Sequence, residues 1–167
     1  MNILIIIAIA ISCFSFPMQA ADKSSYDLSC NLLANFDSKT LKPRPADSSD
    51  FGDRIKEVSG VFFHSLKAPP SSRALGQISC SKSSKALGIT DEEQKLLKTS
   101  KKSFVIQSQS EAKTPKEILT GKNLRTIYNS GDASTSWIVY DTSSKYFYFV
   151  SLSNTLSDKA LVIKLKK

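Results

Sequence analysis

Between residues 119 and 152 the chain alternates apolar, aromatic-rich runs with short polar breaks. The runs are 124–128 (LRTIY), 137–140 (WIVY) and 146–152 (YFYFVSL), separated by Asn129-Ser130-Gly131-Asp132 and by Thr142-Ser143-Ser144. β-Branched and aromatic side chains suit a half-buried pleated surface, and Asn, Gly, Asp and Ser supply turn geometry. The pattern predicts a three-stranded meander, with the upstream chain feeding or covering it.

Upstream, residues 26–36 (YDLSCNLLANF) are mostly apolar and read as a first strand, a short helix being the alternative. Two prolines and scattered charges make 37–49 a loop. Phe51, Ile55, Val58, Phe62 and Leu66 then recur at spacings of four, three, four and four, one helical stripe that Asp50 can cap. Gly52 and Gly60 weaken this helix by up to about 1 kcal/mol each, and Ala68-Pro69-Pro70 ends it. Residues 67–86 read as a Ser- and Lys-rich loop. Thr90-Asp91-Glu92-Glu93 is a capping box for a short helix through Lys98. A strand is predicted at 103–108 (SFVIQS), one helical turn at Thr114-Pro115-Lys116-Glu117, and a last edge strand at 160–165 (ALVIKL). The predicted class is α+β: one main helix packed on a twisted antiparallel sheet of four to five strands.

Residues 1–20 carry no charge, and their apolar run is far too short to span a bilayer. With Pro17-Met18-Gln19-Ala20 at a cleavage position they read as a secretory signal, leaving 21–167 as one domain of an exported protein. A lipid on Cys13 is the alternative, although Ala10-Ile11-Ser12 is a poor lipoprotein pattern. Cys30 and Cys80 are then expected to pair, the other reading being two separate buried thiols. No CxxC and a single His leave no metal-ligand spacing, and no cofactor or membrane contact is expected. The balance of 23 Lys+Arg against 15 Asp+Glu, a net +8, favours phosphate polymers or anionic surfaces as partners.

Three residues invite chemistry. His64 lies seven residues from Glu57, so that on a helix the two share a face as an acid–base pair; a packed or capping histidine is the plainer reading. Arg125 interrupts an apolar strand flanked by tyrosines. There it can hold a phosphate bidentately while Tyr128, Tyr140, Tyr146 or Tyr148 line or stack on the bases, the alternative being an arginine on a solvated face. Asp141, at a strand end beside a turn, reads as a turn former.

The segment ILTGKNLRTIYNS, a spacer and WIVYDTSSKYFYFV resembles the C-terminal half of the small fungal guanyl-specific ribonucleases. The shared pattern is Thr120-Gly121, then Arg125, then Tyr128-Asn129-Ser130, followed by an apolar strand, a polar turn and an aromatic strand. The signal segment, the basic chain and Tyr26 ahead of Cys30 further resemble the ribonuclease-like secreted effectors of powdery mildew fungi, at a wider Tyr–Cys spacing. The resemblance implies a ribonuclease-like fold and makes Arg125 the phosphate-binding arginine. It puts Ser103 where the family has its catalytic glutamate and Asp141 where it has its catalytic histidine. Serine is no general base at neutral pH, and a carboxylate donates no proton there unless its pKa is raised greatly. The family closes its disulfide with a terminal cysteine, whereas this chain runs on past Cys80 to further strands.

The expected function is therefore that of a secreted, non-catalytic, monomeric effector. It would bind host RNA through Arg125, Tyr128, Tyr140 and Tyr148, or bind a host protein such as an immune receptor or defence component. Two other classes are an active secreted ribonuclease using His64, and a bacterial periplasmic binding or inhibitor protein with an unrelated small sheet. The first requires His64, Glu57 and Arg125 to converge.

Overall fold

The computed structural model describes residues 22–69, 72–99, 119, 121–156 and 160–166. Among them the chain forms nine strands and two short helices. Strands β1 (Lys23–Leu28), β2 (Leu32–Asp37) and β9 (Leu161–Leu165) make a three-stranded sheet in the order β1-β2-β9. Strands β3 (Leu41–Pro45), β4 (Ser59–Ser65), β5 (Gly76–Ser81), β6 (Leu124–Ser130), β7 (Ser134–Asp141) and β8 (Phe147–Ser153) make a six-stranded sheet in the order β3-β4-β5-β8-β7-β6. All pairings are antiparallel. The class is α+β, but among the described residues two sheets and two short helices stand where one main helix on a sheet of four to five strands was expected.

The main correction falls on residues 50–66. Ser48–Phe51 is a one-turn helix, α1, capped by Asp47; Gly52–Lys56 is a 3-10 turn; and β4 follows. Gly52 at φ +59° ends α1, a conformation in which a Cβ is strained. The helical stripe was one of two periods in this stretch. Val61 and Phe63 point to the core, both 0 % exposed, whereas Phe62 and His64 point the other way, a strand's alternation. Pairing with β3 on one side and β5 on the other favours that period over the helix.

Other stretches divide more finely than expected. Residues 26–36 hold two strands, because Asn31 turns the chain at φ +66°. The loops expected at 37–49 and 67–86 contain β3 and β5. The meander β6-β7-β8, the terminal edge strand β9 and α2 (Asp91–Thr99) form as expected. The α2 capping box closes reciprocally: Glu93 N–H donates to Thr90 Oγ1 (3.2 Å) and Thr90 N–H to Glu93 Oε2 (2.9 Å). The strand expected at 103–108 and the turn at 114–117 lie outside the described residues.

The core lies between the two sheets. Leu28, Leu32, Ala34, Phe36, Leu161 and Ile163 from the smaller sheet meet Val61, Phe63, Ile78, Trp137, Val139, Tyr148 and Val150 from the larger. Phe36 and Phe63 touch across the interface, ring centroids 5.3 Å apart. The Cys30–Cys80 disulfide joins the β1–β2 turn to β5 in the same layer. On the outer face of the larger sheet a second cluster forms beside α2, where Ile89, Leu97 and Phe147 are packed by Leu87, Ile127, Ile138 and Tyr140. Among the described residues, Leu87, Ile89 and α2 therefore cover the β6-β7-β8 half of that face, while Phe51 of α1 packs on Phe62 near the other edge.

Candidate functional site

The other half of the outer face carries, among the described residues, an open groove of about 450 Å³, within the ~300–1,000 Å³ typical of ligand sites. Strand register sets its floor. One row runs Arg44, Phe62, Gln77, Ser151, Ser136 across β3, β4, β5, β8 and β7 as successive cross-strand partners. A neighbouring row runs Lys42, His64, Leu75, Ser153, Ser134. Leu75 joins its row just before β5: its N–H donates to Phe63 O and its carbonyl accepts from Ser153 N–H, each at 2.8 Å.

One wall is an ordered stack. The Arg44 guanidinium donates two parallel bonds to Asp50, Nη1 to Oδ2 at 2.9 Å and Nη2 to Oδ1 at 2.8 Å. Its carbon lies 4.7 Å from the Phe62 ring centroid. Hydrogen bonding from Arg44 holds the Asp50 carboxyl below the ordinary carboxylate range despite the opposing effect of burial. Pro43 and Pro45 flank Arg44 and restrict the backbone that presents it. Ala46 N–H donates to Gly60 O, so the even-numbered residues of β3 bond to β4 and the two prolines fall where an edge strand needs no inward donor.

The rest of the lining is mostly neutral, with one further cation, Arg73, and one carboxylate, Asp132 on the far wall. Arg73 is exposed, lines the groove, and makes no ion pair among the described residues. Gln77 presents a carboxamide with no intramolecular hydrogen bond there, beside Ser134, Ser151 and Ser153. His64 Nε2 is shielded from solvent and has no hydrogen-bond partner among the described residues. The far wall is fixed by Asn154, whose Nδ2 donates to Gly131 O (2.8 Å) and Asp132 O (3.0 Å), tying the β6–β7 turn to the loop after β8.

The residues expected to hold RNA lie elsewhere. Arg125 and Tyr140 are cross-strand partners on the outer face, as a phosphate and stacking pair would be. Yet Tyr140 packs into the cluster beside α2 and stacks on Phe147 at 4.6 Å, so it is no open platform. Tyr128 pairs with Trp137 along the backbone. Tyr148 requires a correction: it is 0 % exposed, faces the core between the sheets, and donates its hydroxyl to Cys30 O at 3.3 Å. It cannot stack on a base. Strand alternation permitted either face, and Val150 and Leu152 on the same side of β8 decide for the core.

Asp141 is the turn former it was read as. It is 4 % exposed and accepts from Ser143 N–H (2.9 Å), Ser143 Oγ–H (2.6 Å) and Ser144 Oγ–H (2.7 Å). Burial pushes its carboxyl up, but these hydrogen bonds outweigh that effect and hold it below the ordinary range. Ser103 lies outside the described residues. His64 and Glu57 share no helix, and three strands separate β4 from β6, roughly 19 Å at ~4.8 Å per strand. His64, Glu57 and Arg125 do not converge.

Sequence reasoning missed Arg44, Phe62, Arg73 and Gln77 as one site. The available signal was the period-two alternation of Ser59–Ser65, which sets Phe62 and His64 apart from Val61 and Phe63. Nothing local places Arg73 and Gln77 beside them; that follows from β5 pairing with β4 and β8. Compared with known proteins, the chain matches no family model, no curated protein and no solved structure, so the likeness to fungal ribonucleases rests on the residues quoted above.

Proposed function

We propose that this chain is an exported, non-catalytic binding protein of the effector kind, and that its groove takes single-stranded RNA. The observation that carries this reading is the groove itself. It sets Arg73, which makes no ion pair among the described residues, beside an aromatic-backed arginine and a floor of neutral hydrogen-bonding groups, with Asp132 the one carboxylate in the lining. Non-specific single-strand binders combine charge for the backbone with flat π surfaces for the bases. The net charge of +8 supports a phosphate polymer as partner, and the signal-like residues 1–20 with the Cys30–Cys80 bond support export. Against catalysis stands the use of Asp141, at the position where the resemblance puts a catalytic histidine, as a turn anchor.

The test uses residues 21–167 with the disulfide intact and labelled single-stranded RNA, scoring retention and cleavage together across salt concentrations. The expected result is salt-sensitive retention without cleavage, with Arg73→Ala reducing the slope of log affinity against log salt by about 0.7, one single-strand phosphate contact. Cleavage abolished by His64→Ala would make the protein a nuclease. Absence of both would overturn the RNA reading in favour of a protein partner.

A further inference from the structure

Arg44 is the most ordered cation in the groove and the one least suited to gripping a phosphate, because its Nη1 and Nη2 atoms both point at Asp50. Its charge is already matched there, and Asp47 Oδ2 lies 3.4 Å from the same Nη1. What it retains is a flat surface. The guanidinium carbon sits over the Phe62 ring, the side chain is still 40 % exposed, and both residues line the groove.

A planar guanidinium clamped by a carboxylate and backed by an aromatic ring is a stacking surface for another π system. It costs little ordering entropy on binding, since the fork is already fixed by two hydrogen bonds and by the flanking prolines. Nucleobases stack on arginine planes as they do on aromatic rings. Next in the row comes Gln77, at cross-strand distance from Phe62, whose carboxamide makes no hydrogen bond among the described residues and offers a donor and an acceptor to the edge of the same base.

Resting on the RNA reading above, we infer that the Arg44–Asp50 pair laid on Phe62 is the base-stacking platform of the groove, with Gln77 meeting the base edge and Arg73 the phosphate. The site is then selective for unpaired bases: a duplex, whose bases are already stacked on each other, gains nothing from it.

The test compares wild type with Arg44→Lys, which keeps the charge but loses the planar fork, and with Phe62→Leu, which keeps the ion pair but removes the π backing. Each folded variant, checked by near-ultraviolet circular dichroism, is titrated with a single-stranded RNA oligonucleotide carrying 2-aminopurine and, separately, with inorganic polyphosphate. The expected result is a loss of roughly five- to tenfold in oligonucleotide affinity, an unchanged salt slope, loss of the stacking-induced change in 2-aminopurine fluorescence, and unchanged polyphosphate binding. If both variants bind the oligonucleotide as wild type does, or lose polyphosphate equally, the platform is overturned while the RNA reading stands. If wild type retains no RNA, the RNA reading fails and the platform fails with it.

Discussion

Cys30 and Cys80 are bonded across the two sheets, Cα atoms 6.4 Å apart, so that the turn at the end of β1 is fastened to β5 in the interior of the larger sheet. The bond closes a loop with a sequence separation of 50. In the chain-entropy account such a loop contributes about 4 kcal/mol. Urea unfolding of oxidised and reduced protein, or of the Cys30→Ala/Cys80→Ala variant, should show a loss of about 3–4 kcal/mol; an unchanged midpoint would mean that the sheets hold together without it.

Neighbouring phenylalanines should behave in opposite ways. Phe63→Ala removes a side chain that is 0 % exposed and packed on Phe36, and should cost about 3–5 kcal/mol of stability. Phe62→Ala removes a half-buried ring on the groove face and should cost clearly less while weakening RNA retention. Chemical denaturation of the two variants side by side checks the β4 alternation; equal costs would argue against it.

Arg73 and Arg125 separate the groove from the site expected in the sequence. Arg73→Ala should lower RNA affinity and flatten its salt dependence, while Arg125→Ala, at the opposite edge strand, should leave the salt slope as it was. Filter retention at four salt concentrations decides between them, and the reverse result would return the phosphate contact to Arg125.

Asp141 should make the fold acid-sensitive. Its carboxyl titrates below the ordinary range when folded, so its stabilising contribution is complete above that range and is lost as pH falls through the folded value. Stability measured by thermal unfolding should therefore drop below about pH 4, and Asp141→Asn should be less stable at neutral pH with a shallower acid limb. A wild-type acid limb in Asp141→Asn would assign the sensitivity to other carboxylates.

Some of this protein was legible from local pattern alone. The β6-β7-β8 meander follows from aromatic runs cut by Asn-Ser-Gly-Asp and Thr-Ser-Ser, and α2 follows from Thr90 and Glu93, because turns and caps are chemistry between residues a few positions apart. The turn role of Asp141 was legible for the same reason, whereas the Cys30–Cys80 pairing followed from reading residues 1–20 as a signal that leaves two cysteines in an oxidising compartment. Tertiary pairing decided the rest. Residues 59–65 satisfy both a helical and a strand period, and only the presence of β3 and β5 on either side selects the strand. The short, serine-rich β5 has little strand signal of its own, yet it becomes an interior strand because β4 and β8 supply its hydrogen bonds. Tyr148 and Tyr140 differ in fate because a strand has two faces and the sequence does not say which one a second sheet will cover. The groove depends on the same choice of face: among the described residues α2 packs on one half of the outer face, and Arg44, Phe62, Arg73 and Gln77, from separate stretches of the chain, meet on the other.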